Sequence, residues 1–492
     1  MNNFDTIIIG SGLGGLLSGA LLSKEGQKVC LVEKEPFVGG CLRSFYRKGQ
    51  FFDTGMHYIG SMDEGETLNH LFRYLGIYNE LDLVRLDDMG FDRICLEGQT
   101  YGYAHGYENF AAQLCEAFPK EAHQLEAYLR KIHAVGQRIG VEQFKQGRWS
   151  EGNQDYLARA ADEQLNASIS DSRLRSVLSG NALLYDGRKH HTPFYTHAII
   201  HDSMIRGAVR FRGGSQQLAD LLGGLILRQG GLIRLNARVV EVEHQDNMVR
   251  GVRLESNERI TAKNIISDID PRALFRLIHD ASALRKSYLS RIERKKYSHG
   301  IFTVYACVDA QAFPYRNYNS YLLTDGKTWA DSSSIPDTVF FSMQAQKTNT
   351  NQEVVTLLAR TPYREWEAWA NTTVENRGEQ YREAKRRKAE HLIDLTEQYF
   401  HGFRPAIQSI YTASPLSYMN YTACGEGAAY GMMPDADNIL TTLLSPMTKL
   451  HGLYLTGQHI ALHGALGVAM TALSTVGCLV GETYLAKKIG NF

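Results

Sequence analysis

The sequence is poor in cysteine and proline, and it has no excess of charge of either sign. Its seven cysteines are odd in number, lie far apart and form no CxxC pair. This argues against a disulfide framework or a zinc cluster and is typical of a reducing compartment. Lys and Arg together number 53, as do Asp and Glu, which argues against a basic face for a nucleic-acid backbone. We therefore expect no nucleic-acid partner and no bound metal.

The chain also lacks the marks of a secreted or membrane-spanning protein. The N-terminal MNNFDTIIIG has no basic n-region and no A-x-A-like cleavage site, so we expect no signal peptide. The stretch from Ile460 to Gly481 is long enough to span a bilayer, but it is rich in Gly, Ala, Ser and Thr, and no Lys or Arg flanks its start. We expect a helix buried in a large α/β core. The protein is predicted to be cytoplasmic, and peripheral contact with a membrane is left open.

The sequence does have length, apolar residues and many glycines. Its 492 residues suggest two to four domains, at roughly 150 residues per domain. Apolar residues make up 43% and charged residues 22%, which is a globular composition. The 45 glycines against 11 prolines favour tight backbone turns around a ligand over a flexible linker.

Apolar patterning predicts the order of the elements. A buried parallel strand ends at Gly10, a helix follows to about Gly26, and a second strand covers 28–33. Short β-type runs recur over 232–268, and a strand and an uncharged helix follow over 452–481. We predict a discontinuous nucleotide-binding domain from 1–105, 206–285 and 411–492. The two insertions, helix-like 106–205 and mixed 286–410, form a second domain.

The turn after the first strand carries the chemistry. Gly10-x-Gly12-x-x-Gly15 follows a strand and opens a helix, and Glu33 closes the next strand. The glycines permit a tight turn, close approach to a pyrophosphate and close helix packing, while the helix N-terminus attracts phosphate. Glu33 suits the hydroxyls of an adenosine ribose and disfavours a 2′-phosphate. The sequence therefore predicts a dinucleotide site other than one for NADP.

Three further segments carry a resemblance to a known family. They are EKEPFVGGCLRSF with FDTGMHYIG near the N-terminus, RGGSQQL at 212–218, and SPLSYMNYTACGEGAAYG with GLYLTGQHIALHGALGVAM near the C-terminus. The chain resembles the FAD-dependent retinol saturase, phytoene desaturase and carotenoid isomerase family of amine-oxidase-like flavoproteins, and it is nearest to the saturase branch. This implies an α/β protein: a Rossmann-type FAD-binding domain, with a parallel sheet and a β-meander crossover, plus an α+β substrate domain made from the insertions.

The resemblance also implies which residues hold FAD along its length. The pyrophosphate would meet Gly10, Gly12, Leu13, Gly14 and Gly15, and the adenosine ribose would meet Glu33, with Lys34 beside it. The path to the flavin would be lined by Gly40, Cys41, Leu42, Arg43 and Ser44, and the adenine would be held at Val239. Gly457 and Gln458 would lie at the pyrophosphate and the ribityl chain, and Leu466, Gly467 and Val468 would face the flavin's pyrimidine edge. The family more often has an acid at the position of Gln458.

The implied activity is reduction or desaturation of C=C bonds in a hydrophobic, polyene or isoprenoid-like substrate. His57 and Tyr58 are candidate catalytic residues that could donate or relay a proton, and the alternative is that both only pack. Other open interpretations are a carotenoid cis–trans isomerase and an amine-oxidase-like enzyme. A lipid-binding protein similar to the GDP-dissociation inhibitors is disfavoured by the intact glycines and Glu33.

The remaining polar motifs give no second site. His190 and His191 are adjacent and would point apart, so we do not expect them to bind a metal. His197 and His201 have helical spacing but no third ligand, so we expect two satisfied helix histidines. No second strand–GxGxxG–helix unit occurs, so no dedicated NAD(P)H domain is predicted. The electron donor or acceptor is left open among NAD(P)H, a quinone, O₂ and a partner protein.

Overall fold

The computed structural model describes residues 3–148, 154–280, 284–331, 337–347 and 351–492. Its strands in chain order are β1 (Asn3–Ile9), β2 (Val29–Val32), β3 (Ser44–Arg47), β4 (Gln50–Asp53), β5 (Leu83–Arg85), β6 (Asp92–Leu96), β7 (Gln99–Tyr103), β8 (Val209–Phe211), β9 (Leu232–Arg234), β10 (Val239–Gln245), β11 (Met248–Leu254), β12 (Arg259–Ser267), β13 (Gly300–Asp309), β14 (Asn319–Leu323), β15 (Thr338–Met343), β16 (Gln352–Thr361), β17 (Ile407–Ala413) and β18 (Leu453–Leu455).

The α-helices alternate with these strands and also fill the first insertion. In chain order they are α1 (Leu13–Lys24), α2 (Thr67–Leu75), α3 (Tyr107–Ala117), α4 (Ala122–Gly136), α5 (Val141–Lys145), α6 (Gln154–Leu157), α7 (Ala161–Ser168), α8 (Ser172–Leu178), α9 (Phe194–Ile205), α10 (Gln216–Arg228), α11 (Pro271–Arg276), α12 (Lys286–Glu293), α13 (Gly378–Tyr399), α14 (Phe403–Ala406), α15 (Pro415–Thr422), α16 (Ile439–Thr442), α17 (Gly464–Val480) and α18 (Glu482–Gly490).

The first sheet has a parallel centre. β9, β2, β1 and β12 lie side by side in that order and pair in parallel, and β18 pairs in parallel with the end of β12. β10, β11 and β12 form an antiparallel meander at the other end. Helices α10 and α17 both pack on α1. The predicted strand–helix–strand opening and the β-type runs of 232–268 are confirmed.

The second sheet is almost wholly antiparallel. Its order is β17-β13-β16-β15-β14-β6-β7, and only the pairing of β14 with β6 is parallel. The mixed segment 286–410 supplies strands β13 to β16, and the charged helix α13 also lies in this segment. This sheet forms the α+β part of the fold.

The second sheet takes more of the chain than the sequence pattern indicated. β6 and β7 fall in 92–103, inside the segment that we assigned to the nucleotide-binding domain, yet they extend the second sheet. β17 likewise crosses the expected boundary at 410/411. Boundaries based on composition miss such strands because their partners lie some 230 residues away in sequence. The division into two domains remains a proposal with these shifts.

The uncharged C-terminal stretch is an interior helix. α17 is buried along most of its length and packs on α1 and α18. Across the described residues, no helix combines the length and apolar character needed to cross a bilayer.

Candidate active site

One cavity of about 440 Å³ brings most of the predicted site residues together. It is lined by the glycine turn after β1, the ends of β2 and β12, the start of α17, helix α9 and several side chains of the second sheet. The carboxyl ends of parallel strands meet at one edge of a sheet, and ligands bind in the crevice outside that edge.

The glycine turn is tight because each glycine faces a close neighbour. Gly10 has φ of +95°, a conformation that L side chains rarely adopt. A Cβ on Gly15 would lie 2.2 Å from the Gly10 carbonyl oxygen, and a Cβ on Gly14 would lie 2.7 Å from the Gly457 Cα. α1 begins after Gly12 with no side-chain cap and no acidic residue in its first turn. Its first N–H groups are therefore suited to an anionic ligand.

Asp268, which the sequence reasoning missed, lies at the centre of this turn. A Cβ on Gly12 would lie 2.5 Å from its Oδ2, a Cβ on Gly457 would lie 2.1 Å from its Oδ1, and the Gly15 N–H donates to the carboxylate. Burial, with the charge of Glu33, raises the pKa of Asp268 to about 7. Its position directly after the strand predicted at 264–267 was the available signal, since that strand ends at the same sheet edge as β1.

Glu33 lies where the fingerprint requires and also supports the loop. Its Oε2 accepts hydrogen bonds from the Ser11 N–H over 2.9 Å and the Ser11 hydroxyl over 2.6 Å, and its Oε1 accepts from the Glu35 N–H over 2.9 Å. The side chain lines the cavity. The carboxylate therefore orders the glycine turn in addition to any bond to a ribose.

The other predicted cofactor residues divide into those that line the cavity and those behind it. The residues behind it are Gly15 and Gly457, which serve close backbone packing, and Ser44, whose hydroxyl donates to Asp53 Oδ1 over 2.8 Å. The predicted residues that line the cavity are Gly10, Gly12, Leu13, Gly14, Glu33, Lys34, Gly40, Cys41, Leu42, Arg43, Val239, Gln458, Leu466, Gly467 and Val468, with His57 and Tyr58. Their contacts with a cofactor stay a prediction.

A second helix N-terminus opens into the same cavity. α17 begins after His463 with no side-chain cap hydrogen bond and no acidic residue in its first turn, and its residues Leu466 to Val468 line the cavity. Two helix N-termini thus face one space. This arrangement suits a ligand that is negatively charged at one end and gains negative charge at the other end during the reaction.

His57 and Tyr58 occupy different electrostatic settings. Burial lowers the pKa of His57 to about 4, so its imidazole is neutral near pH 7, and its buried Nε2 has no hydrogen-bond partner within the part of the chain that the structure describes. The Tyr58 ring stacks on Phe340, at 6.1 Å between centroids, and its hydroxyl donates to Asp92 Oδ2 over 2.8 Å. A neutral imidazole is a poor acid, so Tyr58 is the better candidate proton donor.

The far wall of the cavity is apolar. Ile301, Phe340 and Leu358 of the second sheet line it, together with Ile199 and other residues of α9. Among the described lining residues, the carboxylates are Glu33, Glu35, Asp268 and Asp270, all from segments at the end of β2 or β12. The far wall therefore offers dispersion and hydrophobic contacts but no carboxylate for a cation.

The two histidines of α9, His197 and His201, pack in the core, and His197 has the hydrogen-bond partners that were predicted for both. His197 is held between two hydroxyls, Tyr128 at 2.6 Å and Tyr185 at 2.8 Å. The His201 ring lies 4.3 Å from the His197 ring and is tilted by 42°, but its buried Nε2 has no partner among the described residues, so the prediction of two satisfied histidines is wrong for this one.

Two groups of side chains among the described residues have the composition of metal ligands. Asp270, Cys424 and His459 are buried within 4.8 Å of one another, and His191 lies near Asp435 and Asp437. The Asp270 carboxylate already accepts hydrogen bonds from the Arg272 and Gly425 N–H groups and from the Tyr297 hydroxyl. It therefore serves as a helix cap, and the prediction of no metal stays a prediction.

Comparison with known proteins identifies the family. The model of the flavin-containing amine oxidoreductases matches residues 13–476. The chain belongs to this family. The match runs from the start of α1 through most of α17, so both helix N-termini at the cavity fall within it.

Individual relatives agree with this assignment. An all-trans-retinol 13,14-reductase of Rattus norvegicus is 26% identical over 524 residues, covering 95% of this chain and 84% of that protein. A lycopene-forming phytoene desaturase of Pseudescherichia vulneris is 29% identical over 315 residues, covering 61% of this chain and 62% of that protein. An oxidoreductase of Methanosarcina mazei has a similar fold, with a TM-score of 0.62 at 18% identity over 96% of this chain and 99% of that one.

Family and geometry together give the cofactor. The family contains flavin, and the turn after β1 has the form that binds a dinucleotide, so the cofactor is FAD. The glycines that admit no Cβ, the two helix N-termini and the cavity between them fit this group. The protein is an FAD-dependent oxidoreductase, and the non-enzymatic, lipid-binding interpretation is not retained.

Proposed function

We propose that this protein uses FAD to add or remove hydrogen across C=C bonds of a hydrophobic polyene or isoprenoid-like molecule, with saturation as the favoured direction. The observation that carries the proposal is the single cavity with a nucleotide cradle at one end and an apolar wall at the other. The near full-length similarity to a retinol 13,14-reductase supports the same substrate class.

The residues that would hold FAD follow from the cavity. Gly10, Gly12 and Gly14 would admit the pyrophosphate to the N-terminus of α1, and Glu33 would bind the adenosine ribose. The start of α17 would face the flavin's pyrimidine edge. When bound and reduced, FAD supplies the hydride, and the chain supplies orientation, exclusion of water and the proton.

An amine-oxidase-like activity is the second candidate, because the family description names amine oxidoreductases. The apolar wall argues against it, since its described lining residues offer no carboxylate to hold an ammonium group. The substrate screen below separates the two candidates.

The test is anaerobic reduction of the flavin followed by exposure to candidate acceptors. We expect the purified protein to carry FAD, and the reduced flavin to be reoxidised by all-trans-retinol or a carotenoid with a product that has gained two hydrogens. Quinones, O₂ and NAD(P)H are tested in parallel as electron partners. The proposal would be overturned if polyenes failed to reoxidise the reduced flavin while amines reduced the oxidised flavin.

We also propose that the molecule takes its substrate from a membrane surface in the cytoplasm. In the segment 439–447, the Leu440 side chain is 86% exposed and Met447 is 58% exposed. Leu443, Leu444 and Pro446 of this segment line a second cavity of about 200 Å³, which shares Leu462 and Gly467 with the main cavity. Exposed apolar side chains next to a cavity that adjoins the main one suit contact with lipid.

A further inference from the structure

A hydrogen-bonded path of buried polar side chains leads from the cavity wall into the second sheet. The Tyr58 hydroxyl lies 2.8 Å from Asp92 Oδ2 and 2.7 Å from the Tyr321 hydroxyl. Asp92 Oδ1 accepts from Asn319 Nδ2 over 3.0 Å, and Asn319 Oδ1 accepts from Arg210 Nη2 over 2.8 Å. None of the five residues is more than 6% exposed, and Tyr58 is the one that lines the cavity.

The path depends on the one parallel pairing in the second sheet. β6 and β14 pair so that Asp92 lies opposite Asn319, and Tyr321 lies two residues further along β14. Residues two apart on a strand face the same side. Asn319 and Tyr321 are therefore directed to the same face, where both reach the group formed by Tyr58 and Asp92.

Asp92 is the group on this path suited to exchange a proton near neutral pH. Burial raises the pKa of its carboxyl to about 7, against the opposing effects of the hydrogen bonds from Asn319 and Tyr58 and of the Arg210 charge. The pKa values of Tyr58 and Tyr321 are raised well above 10, so both keep their protons. Among the described residues, the other titratable groups that act on this cluster are Tyr103 and Tyr430 and, through Arg210, Tyr315 and His57.

We propose that Asp92 is the proton reservoir of the reaction and acts through the Tyr58 hydroxyl. The inference rests on the proposed function, in which reduced FAD supplies the hydride to one carbon of the double bond. The Tyr58 O–H proton goes to the other carbon, and the Asp92 O–H proton restores the Tyr58 hydroxyl. Asp92 is left as a carboxylate and regains a proton from water. In desaturation the same transfers run in reverse.

Tyr321 has a separate role in this arrangement. When Tyr58 donates to Asp92, the Tyr321 hydroxyl can donate to the Tyr58 oxygen over their 2.7 Å separation. A hydrogen bond to an oxygen that is losing its proton stabilises the negative charge that develops there. Tyr321 thus positions and stabilises Tyr58 without contact with the substrate.

The first test observes Asp92 directly and does not depend on turnover. Infrared difference spectra of the FAD-loaded protein are recorded as a function of pH for wild type, Asp92→Asn and Asp202→Asn. Asp202 is the matched control, since it is buried, accepts a hydrogen bond from the Tyr107 hydroxyl over 2.6 Å and does not line the cavity. We expect a protonated-carboxyl band with a midpoint near pH 7 that only Asp92→Asn removes.

This comparison of variants is needed because other buried carboxyls titrate in the same range. Asp53, Glu66 and Asp268 also have pKa values raised to about 7. The assignment therefore comes from the band that Asp92→Asn removes and Asp202→Asn retains. A spectrum unchanged by Asp92→Asn would overturn the inference.

The second test follows saturation of a polyene at saturating FAD. The Asp92 carboxyl must be protonated to supply the proton, so wild-type kcat should fall as pH rises through about 7. Asp92→Asn and Tyr58→Phe should lower kcat by about 100-fold with little change in KM, as expected for loss of an acid catalyst. Both should lose the pH dependence near 7, while Tyr107→Phe should behave as wild type.

The outcomes separate the two proposals. If Asp92→Asn keeps the wild-type kcat and pH profile, the reservoir role is overturned and the proposed function stands. If wild type converts no polyene, the proposed function is overturned, and the infrared titration still decides whether Asp92 exchanges a proton near pH 7. FAD content and circular dichroism of each variant identify any loss of folding.

Discussion

At the scale of single residues, two carboxylates near the glycine turn have opposite relations to the cofactor. Glu33 lies where it can accept hydrogen bonds from a ribose, whereas Asp268 lies among Gly12, Gly14 and Gly457, where the pyrophosphate would approach. A carboxylate next to a diphosphate would repel it. The neutral form of Asp268 is therefore the form compatible with a bound cofactor.

We predict from this that FAD affinity falls with rising pH. Asp268 has a pKa near 7, so it is neutral below that pH and ionised above it, and the FAD Kd should rise by up to about tenfold per pH unit above 7. Asp268→Asn should bind FAD with little pH dependence, as measured by flavin fluorescence titration. Asp53→Asn is the control, since its pKa is also raised to about 7 but it lies outside the cavity lining. A pH-dependent Kd in Asp268→Asn would contradict the assignment.

At the scale of elements, the site is built from helix starts and strand ends. α1 can start so close to β1 because Gly15 places no side chain against the Gly10 carbonyl. The parallel pairing of β6 with β14 likewise brings Asp92, Asn319 and Tyr321 together from segments far apart in sequence. Small changes in these backbones should therefore alter the site more than changes in individual lining side chains.

Gly15→Ala tests the contact between α1 and β1. The added Cβ would lie 2.2 Å from a backbone oxygen, so the helix must shift, and we expect destabilisation of about 1–3 kcal/mol with weaker FAD binding. Gly224→Ala in α10 is the control, because its Cβ would meet only the flexible Arg228 side chain at 3.2 Å. The free energy of unfolding of this control should equal that of wild type or exceed it by up to about 1 kcal/mol. Urea unfolding measures both, and equal stability of Gly15→Ala and wild type would refute the packing role.

At the scale of the whole molecule, the cavity lies between two sheets, and each supplies one end of it. The first sheet and its helices form the nucleotide cradle, and the second sheet with α9 forms the apolar wall. The second cavity shares Leu462 and Gly467 with this space and is also lined by Leu443, Leu444 and Pro446 of the exposed segment at 439–447.

The membrane proposal predicts a loss of liposome binding on removal of this segment's apolar side chains. Burial of a Leu or Met side chain contributes about 1.5–3 kcal/mol, so Leu440→Ser and Met447→Ser should each lower the partition coefficient by roughly tenfold. Val374→Ser removes a side chain that is 46% exposed elsewhere and should leave binding unchanged. Co-sedimentation with vesicles measures all three, and equal losses in the three variants would refute a specific contact surface.

The fold was largely predictable because its signals are local. The glycine turn, the strand before it, Glu33 and the buried helix at 464–480 each follow from residues within one or two elements. The strands of 92–103 lie in the segment that we assigned to the nucleotide-binding domain, yet they pair in the second sheet, because the residues of a strand do not reveal which strand it pairs with. Ser44 was predicted at the cofactor together with its neighbours, which line the cavity; its own hydroxyl donates to Asp53, and its contact with a cofactor stays a prediction.

By itself, the sequence determined the glycine turn and predicted a dinucleotide site there, because backbone approach and helix polarity depend on glycines at fixed spacing. Only the tertiary structure decided which buried carboxylates meet that site. Asp268 reaches it because β12 and β1 end at one sheet edge, and Asp92 reaches Tyr58 because β6 pairs with β14. The pKa of a carboxyl depends on such burial and neighbours, which are set by packing across the chain rather than by local spacing.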